Sequence, residues 1–133
     1  MLERRRLALA LLPLALACAA PAAPPPDASY TVRGEIVRLP QAPATEILIR
    51  HEAIPDFRGM DGKVVGMDAM TMPFPLGPGA SAEGLAAGDR IEFVLELRWQ
   101  DAKGPVLVTR LSKLPAGTRL SFDAAQDAGA TPR

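Results

Sequence analysis

The chain is poor in the residues that most reactive sites are built from. Its 133 residues include one cysteine, one histidine, one tryptophan and one tyrosine. With Cys18 alone, no internal disulfide can form, so any folded domain must be held by core packing. With His51 alone, there is no Ser/His/Asp or Cys/His set and no cluster of imidazoles for hydrolysis, so no catalysis is expected. Aromatic residues make up only 5% and the formal net charge is zero. Both argue against a nucleic-acid partner, which needs basic surface and stacking rings. No run reaches the roughly 18 apolar residues of a membrane span. The length suits one domain and hardly two.

The N-terminus reads as a targeting segment, residues 1–18. "MLERRR" is a basic start, "LALALLPLALA" an apolar stretch, and small residues follow. Export is expected. "ALAC", ending at Cys18, is similar to a bacterial lipoprotein box, which would place a lipid anchor on that cysteine. Ordinary cleavage at Ala15-Leu16-Ala17 is the other reading, and both stay open. Residues 19–29, "AAPAAPPPDAS", read as an extended Pro/Ala tether. Residues 116–133 carry few large apolar side chains and are expected to be a disordered tail.

Residues 30–115 remain for the fold. Period-two alternation and β-branched residues predict strands at 30–39, 45–51, 69–74, 90–99 and 106–114. Gly34 suggests a bulge or bend in the first. In the second, Ile47, Ile49 and His51 share a face; in the third, Met70, Met72 and Phe74 do. The fourth is the clearest, with Ile91, Phe93, Leu95, Leu97 and Trp99 inward. "DAKGP" (101–105) is the turn of a last hairpin, and "LAAGD" (85–89) one helical turn or a tight loop. Pro73 and Pro75 cannot donate to a ladder, which puts the third strand at an edge or bulge. Five short strands without a long helix predict an all-β fold, a small five-stranded OB-like barrel, with a two-sheet sandwich as the alternative.

What the chain does have is methionine in one place. Met60, Met67, Met70 and Met72 are all of its methionines apart from Met1, and they follow His51 closely. A thioether is neutral, polarizable and needs to lose no proton, so it suits soft ions, Cu(I) and by the same logic Ag(I). Hard ions prefer oxygen, and Zn(II) prefers thiolate, imidazole or carboxylate. Met70 and Met72 lie two apart on a strand, so both point the same way. If the strand ending at His51 pairs beside them, an imidazole and two thioethers meet at one end of the barrel, with Met67 able to cover the ion. Taken singly, each of these residues is more often core filler or surface; it is their joint placement that suggests a site. Trp99 reads as core or rim packing.

"H-x-x-I-P" (51–55), "M-x-x-M-T-M-P-F" (67–74) and "L-x-x-G-D-x-I-x-F" (85–93) resemble the periplasmic copper-binding CusF family over roughly residues 30–114. The resemblance implies a five-stranded OB-like barrel binding Cu(I) or Ag(I) through one histidine and two methionines. His51 would be the nitrogen ligand, Met70 and Met72 the sulfur ligands. The best-known member stacks a tryptophan over the ion; that position is Met67 here, so a third thioether would replace a cation–π lid. The long stretch between His51 and Met67 is a second departure.

The expected function is that of a periplasmic metallochaperone or buffer, monomeric, serving a copper efflux system or an oxidase-assembly protein. One alternative is a metal-free exported OB-like module for a protein or glycan partner. Another is a divalent site built from His51 and the carboxylates Glu52, Asp56, Asp61 and Asp68, which otherwise read as a solvated loop.

Overall fold

A computed structural model of the chain describes residues 24–122. The expected signal segment with Cys18, the first residues of the tether and the tail from residue 123 lie outside the described residues. Five strands form: β1 (Ala28–Arg38), β2 (Glu46–His51), β3 (Met70–Pro75), β4 (Arg90–Leu97) and β5 (Val106–Lys113). Among the described residues there is no α-helix. All neighbouring strands are antiparallel, in the order β3-β2-β1-β4-β5.

The alternation in sequence becomes the two faces of this sheet. Ile47 and Ile49 of β2, Phe74 of β3, Ile91, Phe93, Leu95 and Leu97 of β4, and Val108 of β5 are at most 1% exposed. Each such side chain contributes about 1.5–3 kcal/mol on leaving water. The residues between them, such as Arg50, Glu92 and Arg110, stay at least partly in solvent.

Two glycines let this sheet curl and close. Gly34 pairs with His51 on one side and Ile91 on the other. A Cβ there would lie 2.6 Å from the Arg50 carbonyl oxygen and 2.8 Å from Ile49 Cγ2. Gly34 therefore marks a close approach of β2, and the expected bulge is found elsewhere. The register slips between Ile36 and Arg38, leaving Val37 as the extra residue. At the seam, Leu76 bridges Val108 in parallel and the Gly77 N–H donates to the Val108 carbonyl at 2.8 Å. A Cβ on Gly77 would sit 3.0 Å from Leu107 Cδ2. The result is an OB-like barrel closed by a narrow β3–β5 seam.

The prolines set the ladder of β3. Leu48 faces Pro73 and Glu46 faces Pro75. An antiparallel ladder alternates hydrogen-bonded and non-hydrogen-bonded pairs, and proline fits only the second kind. Ile47–Phe74, Ile49–Met72 and His51–Met70 are then the hydrogen-bonded pairs. Both proline nitrogens point to the free edge of β3, which loses two donors.

The long stretch between β2 and β3 is a folded arm. Ile54 pairs with Met67 at its base and Arg58 with Val64 further out. A turn closes its tip, Gly59 N–H to Lys63 carbonyl at 2.9 Å. Phe57 stacks on Tyr30 with ring centres 5.5 Å apart, and the Tyr30 hydroxyl accepts from the Arg58 N–H at 2.9 Å. The 85–89 segment is a tight loop, with Asp89 Oδ2 accepting from the Ala86 N–H at 2.9 Å.

Candidate metal centre

His51 ends β2 on its inward face and is completely buried. Its Nδ1 lies 2.6 Å from the main-chain oxygen of Glu52. A carbonyl can only accept, so Nδ1 carries the proton and Nε2 presents a lone pair. That Nε2 is buried and, among the described residues, has no hydrogen-bond partner. Phe74 meets the imidazole edge-on, ring centres 5.7 Å apart at 68°. Burial pushes the His51 pKa below its usual 6.5, outweighing the opposing effect of the Glu52 carbonyl. The imidazole is therefore neutral at neutral pH, as a metal ligand must be.

The two expected sulfur ligands lie on the same face. Met70 stands directly opposite His51 and Met72 opposite Ile49. Directly opposed Cβ atoms lie about 4.5–5.5 Å apart and diagonal ones within roughly 7–8 Å. Flexible thioethers span both distances. Exposure falls inward along β3, from Met70 at 43% through half-buried Met72 to Phe74 at 0%. Met67, three residues before the strand, is half-buried against the core; its N–H and C=O bond Ile54 at 2.9 and 2.8 Å. That exchange holds its backbone at the base of the arm. Met60 lies at the arm's tip, 73% exposed, away from this group.

The carboxylates do not assemble into a site. Glu52 pairs with Arg33 at 3.1 Å and Asp61 with Lys63 at 4.0 Å. Among the described residues no group of three or more His, Cys, Asp or Glu side chains could hold an ion. Trp99 packs at the rim of the core. Two features of the centre were not singled out in the sequence reading: the Glu52 carbonyl, which is main chain and carries no residue signal, and the packing of Phe74 against the ring. The sequence pattern did place Phe74 on the methionine face.

Solved structures of similar shape exist. A silver-bound CusF from Escherichia coli is 17% identical, with 68% of this chain and 96% of that one covered and a TM-score of 0.47. Metal-free CusF from the same organism is also 17% identical, over 66% and 89%, with a TM-score of 0.47. The C-terminal domain of SilB from Cupriavidus metallidurans is 28% identical, over 69% and 98%, with a TM-score of 0.46. No curated protein matches the chain. The model of the copper-binding periplasmic protein CusF matches residues 29–113, well over half of the sequence. The chain belongs to the CusF family of copper-binding periplasmic proteins.

Proposed function

We propose that this protein binds one Cu(I), or Ag(I), through His51 Nε2 and the sulfurs of Met70 and Met72, and carries or buffers it in the periplasm. The observation that supports this most directly is the buried, unpartnered Nε2 on the face it shares with both thioethers. A buried polar atom without a partner costs about 1–3 kcal/mol, and a soft cation would relieve it. Met67 would cover the ion as a further thioether. The three ligands are neutral, so the bound ion keeps its single positive charge. Release would begin at Met70, the most exposed ligand, and continue by exchange of one sulfur at a time. The protein catalyses nothing in this reading; it hands the ion to a copper efflux or oxidase-assembly protein. Attachment to the membrane through a lipid on Cys18 belongs to the same proposal.

The test is a Cu(I) titration against a competing chelator. Replacing both sulfurs, Met70→Ile with Met72→Ile, should weaken binding by more than the roughly 10–100-fold that loss of an outer partner of a ligand costs. Unchanged affinity would remove the assignment. Native mass spectrometry with Ag(I) should show a single-ion adduct that disappears in His51→Ala.

A further inference from the structure

Beyond β5 the chain does not leave the barrel at once. The Leu114 N–H donates to the Arg90 carbonyl at 2.8 Å, and the Arg90 guanidinium donates to the Ala116 carbonyl. The Thr118 N–H closes a turn on Pro115 at 2.9 Å. Residues 119–122 then reach β2, which β4 and β1 separate from β5 in the sheet. There the Ser121 N–H donates to Glu52 Oε1 at 3.2 Å, and the Arg50 guanidinium lies 4.1 Å from the centre of the Phe122 ring. Both contacts fall on residues flanking His51. This strap lies past residue 113, where the family match ends.

Glu52 is where these ties converge. Its carboxylate takes Arg33 from β1, at 3.1 Å, and the strap's Ser121 N–H; its main-chain oxygen takes the His51 Nδ1–H at 2.6 Å. The peptide that orients the imidazole is thus anchored from two sides by its own side chain. We infer that Glu52, held by Arg33 and the C-terminal strap, is a positioning residue that locks His51 in the Nδ1–H tautomer and keeps Nε2 open for the ion. This rests on the proposed metal reading. It adds that a segment outside the barrel tunes how fast the ion leaves. Outer partners of a ligating imidazole commonly change metal affinity by about 10–100-fold when lost.

The experiment compares the full chain with Glu52→Ala, Glu52→Gln and Phe122→Ala. Imidazole ¹⁵N shifts are recorded without metal, and Cu(I) release is timed into excess chelator. Glu52→Ala should mix the two tautomers and speed release about tenfold. Phe122→Ala should speed it about twofold to fivefold, the worth of an exposed cation–π contact. Glu52→Gln, which keeps an oxygen for both donors, should restore most of the wild-type behaviour. A Glu52→Ala chain with an unchanged tautomer, or an unchanged release rate, overturns the inference while leaving the metal site standing. So does a Gln variant as impaired as Ala. A wild-type chain that binds no Cu(I) overturns both, and the metal-free spectrum keeps the two failures apart.

Discussion

His51 is an expensive residue to keep in a barrel core. It is fully buried, one nitrogen is satisfied at 2.6 Å and the other is not. A His51→Leu variant removes the unpartnered Nε2 but leaves the part-buried Glu52 carbonyl without its donor, so a gain and a cost of about 1–3 kcal/mol each oppose one another. The metal-free variant should therefore melt close to the wild type, the two effects offsetting, while losing all protection by Ag(I). At 100 times the dissociation constant that protection is worth about 2.7 kcal/mol, and thermal unfolding with and without silver measures both effects. The same burial sets the pH response. Because the folded-state pKa is lowered from 6.5, the unfolded chain takes up the proton first as pH falls. The stability this group contributes is complete above pH 6.5 and is lost as pH drops from there through the folded pKa. Copper affinity should therefore decline at a lower pH than an ordinary histidine, at 6.5, would set. Chelator competition at pH 7.5, 6.5 and 5 would record the profile, and a fall already complete at 6.5 would contradict it.

At the scale of strands, the centre depends on how closely β2 approaches β1. Gly34 permits that approach, with Arg50 and Ile49 where its Cβ would be. Gly34→Ala should cost about 1–3 kcal/mol, as overpacking does, and shift the end of β2 that carries His51. Both the urea midpoint and Cu(I) affinity should drop; a variant with wild-type affinity would show that the ligands tolerate the shift. This glycine also illustrates what the sequence conceals. A glycine inside a strand pattern suggests a bulge, yet its use here is contact with a strand some fifteen residues away, visible only after folding. The real irregularity at Val37 bears no glycine to announce it. By contrast, the alternation in β2 and β3 is written in the residues, which is why the shared face of Met70, Met72 and Phe74 was legible. That β2 lies beside β3 was legible only as a condition on the site.

For the molecule as a whole, strand count, barrel class and the seat of the methionines follow from period-two patterning and turns. The strap does not, because "AGTRLSF" (116–122) has no strong apolar period and its ties include isolated contacts with Arg50, Glu52 and Arg90. Pro73 and Pro75 were legible as an edge signal, and their consequence is molecular. With two donors missing from the free side of β3, strand addition by a second copy is disfavoured. Pro73→Val with Pro75→Val should restore those donors and produce concentration-dependent association in sedimentation runs. A variant that shows no such association at high concentration would show that the narrow seam guards the edge unaided.

The gradient of exposure along β3 has a chemical corollary. An oxidant approaching this face meets the Met70 sulfur, on a residue 43% exposed, before it meets the half-buried Met72. Sulfoxide formation would replace a soft donor by a hard oxygen and blunt the grip on a monovalent coinage metal. Reductases reverse that lesion, so with Met70 as a ligand, as proposed, its outward placement would make cargo capacity responsive to peroxide.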